Sequence, residues 1–183
     1  MFFKEIETDR LFLRNISAKD REFIYAQFSN DKVTRYLFDA EPLTDIKDVD
    51  EIIDFYLKPE PREQHRWILV RKGDGTKIGT CGFHLWDKTA DCCEIGYDLH
   101  PDFWGNGYMG EAVRDALGFA RENMGIKCVN ACIYVDNLSS IKFAEKLGFA
   151  FYGKTKDYIF RGQKYSHKIL TLKIQEGLQW EKL

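Results

Sequence analysis

The apolar positions of this chain change period along its length, and each change marks an element. Leu11 to Arg14, entered through Thr8-Asp9-Arg10, reads as a first strand. Ser17 and Asp20 form a variant capping box for a helix in which Phe23, Ile24 and Phe28 share one face. A second helix is expected from about Thr44 to Leu57, where Val49, Ile52, Ile53, Tyr56 and Leu57 recur at helical spacing. Trp67-Ile68-Leu69-Val70 is continuously apolar and ends at Lys72-Gly73-Asp74-Gly75, a hairpin signal. Ile78 to Trp86 and Cys92 to Leu99 complete a meander that Pro101 stops. A third helix begins near Tyr108. Its Met109, Ala112, Val113, Ala116, Leu117 and Ala120 form one apolar stripe, with Gly125 as the stop. Cys128 to Val135 is a strand, and Ser139 to Leu147 a short helix closed by Gly148. Two last strands are expected near Ala150 to Lys156 and Lys164 to Ile174. The order β, α, α, β, β, β, α, β, α, β, β makes an α+β fold with a parallel crossover through the third helix.

Composition narrows the class. The chain has 183 residues, 44% hydrophobic and 15% aromatic, which suits one domain spanning 1–183 with a real core. The net charge is -2 with both signs interspersed. Without a basic block the chain is a poor binder of phosphate backbones, so no nucleic acid partner is expected. No apolar stretch approaches a membrane span, and Met1-Phe2-Phe3-Lys4-Glu5 carries charges where a signal peptide needs an apolar run. A cytoplasmic protein with no membrane partner follows. Cys81, Cys92, Cys93, Cys128 and Cys132 contain no CxxC pair and read as buried thiols in strands. His65, His84, His100 and His167 add no ligand spacing, so no metal is expected.

The informative stretch is Ile95 to Glu111, IGYDLHPDFWGNGYMGE, where a strand ends, a Gly-rich loop follows and a long helix begins. Gly105, Gly107 and Gly110 leave backbone N–H groups unshielded beside a helix N-terminus, an arrangement suited to a pyrophosphate. The loop lacks the Lys-Ser or Lys-Thr of a P-loop. It does match GxGxxG, yet it lies mid-chain after an antiparallel meander, outside the βαβ context of a dinucleotide fold. A second segment, Asn137-Leu138-Ser139-Ser140 before Ile141 to Phe149, reads by itself as a polar-capped helix with a Gly stop.

Together the two segments closely resemble the GNAT acetyltransferase superfamily, and its RimJ/RimL-like (ribosomal-protein N-acetyltransferase-like) branch in particular. The matching phrases are Thr8-Asp9-Arg10-Leu11 with Leu13-Arg14, Glu94-Ile95-Gly96-Tyr97, Trp104-Gly105-Asn106-Gly107-Tyr108 with Glu111-Ala112, and Asn137 and Ser140 with Glu145 to Phe149. The resemblance implies a mostly antiparallel sheet of about seven strands with four helices, splayed between the fourth and fifth strands, Cys92 to Leu99 and Cys128 to Val135. It implies acetyl-CoA as cosubstrate. The backbone of Leu99 and His100 would contact pantetheine, and Gly105, Asn106, Gly107, Tyr108, Met109 and Gly110 would hold the pyrophosphate. Asn137 and Ser140 would lie beside the pantetheine and the thioester sulfur.

Where the family carries a helix Tyr that protonates the thiolate, this chain has Ala144, so the acid role is open: Ser140 either substitutes through its hydroxyl or only caps and packs. Glu94 is the candidate base, on the strand flanking the thioester site and sharing a face with Asp98 and His100. A solvent-facing or ion-paired Glu94 is the competing reading. Tyr36 and Phe38 either line the acceptor pocket or belong to the core, and Trp67, Trp86 and Trp104 are assigned to packing. Direct attack by the amine is expected, with the oxyanion met by a backbone N–H near Leu99. At pH 7 a lysine amine costs about 4.6 kcal/mol to deprotonate and an α-amine about 1–1.4 kcal/mol. A site with few bases is therefore matched to a protein N-terminal α-amine. The alternatives are a small amine, polyamine or antibiotic as acceptor, or a module that binds acetyl-CoA without catalysis. A homodimer through exposed strand edges is compatible with the pattern.

Overall fold

The computed structural model describes residues 2–174. Eight strands form one sheet in the order β1-β2-β3-β4-β5-β6-β8-β7. They are β1 (Ile6–Glu7), β2 (Leu11–Asn15), β3 (His65–Arg71), β4 (Lys77–Asp87), β5 (Cys92–Leu99), β6 (Cys128–Tyr134), β7 (Ala150–Phe160) and β8 (Gln163–Lys173). The helices are α1 (Arg21–Phe28), α2 (Asp31–Thr34), α3 (Val49–Leu57), α4 (Tyr108–Met124) and α5 (Leu138–Lys146). All neighbours pair antiparallel except β5 and β6, which α4 connects.

The sheet is covered on both faces, which is why Trp67 to Val70 shows no alternation. Trp67 and Leu69 face a core built with α4 and α5, while Ile68 faces a second core with Ile24 of α1 and Val49 and Ile53 of α3. The expected second helix is shorter than its apolar pattern suggested. A 3-10 turn over Ile46–Asp48 precedes α3, with Asp45 Oδ1 accepting from Lys47 N at 2.9 Å. The two elements beyond the expected count are short: β1 has two residues and α2 one turn. The expected break after Lys156 is absent. β7 continues to Phe160 because Arg161 and Gly162 both adopt positive φ, 50° and 75°, and close a tight hairpin onto β8. All five cysteines lie in strands, but only Cys81 and Cys93 are buried; Cys92, Cys128 and Cys132 are half-buried. Cys92 and Cys128 open their strands, and Cys132 borders a cavity.

One departure from regular pairing positions the site. β5 and β6 pair over Cys92 with Cys128, Cys93 with Val129 and Glu94 with Asn130 only. Beyond that point β5 keeps β4 as its partner and β6 keeps β8, so a wedge opens between them. This is the expected splay.

The capping residue Asp20 is fully buried and ties α1 to the sheet. It accepts from Ser17 N at 2.8 Å, pairs with Lys77 Nζ at 2.8 Å and bonds Arg14. Burial raises this carboxyl, but Lys77, Arg14 and Ser17 outweigh it and hold it below its ordinary 3.8. Its stabilisation is therefore complete above the ordinary value and is lost as pH falls through the lowered folded value. Asp20→Ala should cost about 3 kcal/mol in urea unfolding at pH 7, because Arg14 and Lys77 lose their shared counter-charge, and less at pH 3.

Candidate active site

The wedge opens into a cavity of about 680 Å3. Its walls are Glu94, Gly96, Tyr97 and Asp98 of β5, Cys132 and Tyr134 of β6, Asn137 and Ser140 at the start of α5, and Tyr36 and Phe38 from the segment after α2. Tyr36 and Phe38 thus belong to the cavity wall. Phe38 stacks on Tyr165 at 3.8 Å and meets Tyr134 edge-on at 4.8 Å.

Ladder parity decides which backbone groups face the wedge. His100 N donates to Ile78 O at 2.8 Å, so alternate residues point their backbone at β4, and Tyr97 and Leu99 point theirs the other way. The Leu99 carbonyl accepts from Trp104 Nε1 at 2.8 Å. Trp104 is 51% exposed, so it caps a strand end where packing was expected; Trp67 is fully buried. His100 is committed to its turn. Its carbonyl accepts from Phe103 N at 3.0 Å, and its Nδ1 accepts from Asp102 N at 3.4 Å.

The Gly-rich loop follows that turn. Gly105 and Gly107 have φ of 75° and 76°, a conformation that side chains resist, and Gly107 caps α4. The first amides of α4 have no intrahelical acceptor and lie at its positive end. The Thr8-Asp9-Arg10 phrase reaches this loop through Glu111, a residue of the first turn of α4. Glu111 accepts from Thr8 Oγ1, from Arg10 N at 2.6 Å and from Arg10 Nε at 2.6 Å. Arg10 Nη1 donates to Asn106 O at 2.9 Å, and its guanidinium lies 4.6 Å over the Tyr108 ring. Burial raises the Glu111 carboxyl, yet these bonds outweigh it and hold the group below its ordinary value. Arg114, one turn further, has a buried Nη1 with no hydrogen-bond partner among the described residues. That atom lies 3.5 Å from where a Cβ at Gly110 would stand.

On the cavity face of β5, Glu94 Oε1 lies 3.2 Å from His84 Nε2 across the β4–β5 ladder. The imidazole sits over Gly96, where a Cβ would meet His84 Cε1 at 2.9 Å, so a larger residue there would have to displace the ring. Deeper on the same face, Asp98 accepts from Arg66 Nη1 at 3.1 Å, from Gln27 Nε2 at 2.7 Å and from Thr80. Burial pushes the Asp98 carboxyl up against the pull of these partners. At α5, Asn137 Oδ1 accepts from Ser140 N at 3.2 Å, and Ser140 Oγ lies 3.0 Å from the Tyr97 hydroxyl. Ala144 is buried in the core. Burial pushes the Cys132 thiol to about 11, so it is un-ionised at neutral pH and poorly placed as a nucleophile.

The structure therefore gathers Glu94, Asn137 and Ser140 at one cavity, with the loop of Gly105 to Gly110 at the far end of the wedge. Sequence reasoning missed His84, Tyr97 and Arg114. The alternation of β5 marks Tyr97 as facing opposite to Glu94, but no spacing signal exposes the cross-strand His84 or the orphaned Arg114 nitrogen. No described helix is long and apolar enough to cross a membrane.

Comparison with known proteins agrees with this geometry. Residues 10–150 match the family model described as an acetyltransferase (GNAT) domain. YoaA of Bacillus subtilis (strain 168), named as an uncharacterized N-acetyltransferase, is 32% identical over 172 residues, 93% of this chain and 97% of YoaA. YdaF of the same organism, named provisionally as a ribosomal N-acetyltransferase, is 31% identical over 87 residues, 48% of each chain. The crystal structure of spermidine N-acetyltransferase from Vibrio cholerae with CoA and spermine superposes with a TM-score of 0.78 at 18% identity, covering 90% of this chain and 95% of that one. The chain belongs to the GNAT acetyltransferase family and is an enzyme that transfers an acetyl group to an amine.

Proposed function

We propose that the acetyl donor is acetyl-CoA, that the thioester site is the wedge between β5 and β6, and that the acceptor is a primary amine attacking directly. The observation that carries this is the parting of the two strands after Glu94 and Asn130, beside a glycine loop that opens a long helix. CoA in the Vibrio cholerae structure of the same fold supports the choice of donor. The thioester supplies an activated acyl group; the chain supplies the rest.

Backbone groups of Tyr97 and Leu99 facing the wedge accept the pantetheine arm as an added strand. The amides from Gly105 to Gly110 hold the pyrophosphate, and the unpartnered Arg114 Nη1 supplies a cation beside them. Asn137 and Ser140 border the sulfur. The Leu99 N–H serves the oxyanion. Glu94 takes the amine proton, and His84 fixes the carboxylate that receives it.

One carboxylate with an imidazole neighbour suits an α-amine, whose deprotonation at pH 7 costs about 1–1.4 kcal/mol, better than a lysine at about 4.6 kcal/mol. A protein N-terminus is therefore the first reading of the acceptor. A small polycationic amine is the second, favoured by Asp39, Asp48 and Glu51 among the lining residues. Calorimetric titration of acetyl-CoA, followed by CoA release against peptides with free N-termini and a panel of small amines, tests both. Binding with turnover on peptides alone supports the first reading, and turnover on polyamines alone the second. Binding without turnover leaves a non-catalytic module, and no binding removes the donor site.

Glu94→Gln should lower kcat about a hundredfold and leave KM for acetyl-CoA unchanged, since the carboxylate serves the amine and not the donor. An unchanged kcat would make Glu94 an ion-paired wall residue. Arg114→Met should weaken acetyl-CoA binding about tenfold by calorimetry, one charge-assisted bond being lost.

A further inference from the structure

Tyr97 leaves β5 on the face opposite Glu94 and enters the seam between the strand and α5. Its ring meets Phe143 edge-on at 5.1 Å, and its hydroxyl ends 3.0 Å from Ser140 Oγ. Ser140 is the third residue of α5, with its amide held by the Asn137 cap. Both hydroxyl residues border the cavity beside the wedge. Among the described residues neither hydroxyl has another hydrogen-bond partner.

Two hydroxyls facing each other have two protons and one shared bond. We infer that Tyr97 is a positioning residue, which donates to Ser140 Oγ and so turns the Ser140 hydrogen toward the thioester sulfur. This deepens the acetyl-CoA reading and rests on it. A half-buried phenol with one partner gains by donating to it, since a bond left unmade in a partly desolvated site is a penalty. Ser140 keeps its own hydrogen for the cavity, where the N-terminal end of α5 adds its dipole.

The chemistry that follows is a hydrogen bond and not a proton transfer. Burial pushes the Tyr97 hydroxyl up to about 12. A thiol titrates near ~8.5, so handing the phenol proton to a thiolate through Ser140 is opposed by more than three orders of magnitude. When the carbon–sulfur bond breaks, its electron pair goes to sulfur. The thiolate is held by the Ser140 hydrogen bond and the helix terminus, and takes its proton from solvent afterwards. The phenol at Tyr97 thus aids the leaving group from a strand, while the helix position that faces the core is Ala144.

The test reads the thiol itself. Free CoA bound to the protein is titrated by the ultraviolet absorbance of its thiolate, with calorimetric binding of CoA and of desulfo-CoA alongside. In the unsubstituted chain the bound thiol should titrate below the free value. Tyr97→Phe keeps the ring against Phe143 and should shrink the thiol's ionisation constant about tenfold, leaving desulfo-CoA affinity unchanged. Ser140→Ala should lower it at least as much, and the double variant no further than Ser140→Ala alone. Should Tyr97→Phe fail to fold, Ser140→Ala carries the same expectation. A bound thiol that titrates as free CoA does, or a Tyr97→Phe or Ser140→Ala variant with the parent's titration, overturns the inference while the donor site stands. Additive losses in the double variant overturn it as well. Failure of the parent to bind CoA at all overturns the donor site and this inference together.

Discussion

Beyond Glu94 and Asn130 the inner backbone groups of β5 and β6 have no strand to pair with, and the rest of the site is arranged around that gap. Buried N–H and C=O groups demand partners. Each strand satisfies its outer edge, β5 on β4 and β6 on β8, so both are rigid where they part. A rigid gap of this kind is a template for an extended ligand that carries amides of its own. It also fixes where the ends of that ligand must lie. The turn after β5 leads into Gly105 and the N-terminus of α4, and the end of β6 leads into Asn137 and the N-terminus of α5. Two helix termini thus stand at the wedge, one suited to phosphate and one to a developing thiolate.

The glycine loop needs support because it is exposed and built on two left-handed residues. That support comes from the far end of the chain. Glu111 lies in the first turn of α4 and reaches back to Thr8 and to both ends of Arg10, whose guanidinium in turn holds the Asn106 carbonyl. Acidic residues favour a helix N-terminus on electrostatic grounds. Here the same carboxylate also joins the turn between β1 and β2 to the loop, through bonds made within the chain itself.

Legibility in the sequence followed the range of the interaction. Helix α4 was readable because its stripe is local and its stop, Gly125, takes a left-handed φ of 66°. The Asn137 cap and the loop glycines were readable for the same reason, as backbone chemistry confined to a few neighbours. The wedge came from the family resemblance, since nothing in Cys92 to Leu99 says where pairing with Cys128 to Tyr134 will stop. His84 was hidden because its link to Glu94 depends on cross-strand register, which the turn over 87–91 sets with an irregularity between His84 and Asp87. Trp104 was misassigned because an indole that caps a carbonyl and one that fills a core have the same composition. The extension of β7 was missed because Tyr158-Ile159-Phe160 is apolar at every position, which hides the alternation in which Ile159 is exposed between half-buried Tyr158 and Phe160.

In the mechanism proposed for the site, the two proton problems of acetyl transfer fall on opposite faces of one strand. Glu94 faces the cavity with His84, and Tyr97 faces α5 with Ser140. Three residues of strand separate them by about 10 Å along the backbone. A base must collect a proton from an ammonium before attack, while the departing sulfur must be stabilised after it. If the two groups shared one face, the carboxylate would accept the Ser140 hydrogen in preference to the sulfur, and its own charge would raise the energy of the thiolate. Strand alternation removes that conflict without any further device. In that mechanism it keeps the carboxylate on the acceptor side and leaves the sulfur side to hydroxyls and a helix terminus. The pair Asp98 and Arg66 fits the same logic. It lies on the Glu94 face, but its charges neutralise each other, so it braces β3, β4 and α1 without adding a net charge to the acceptor wall.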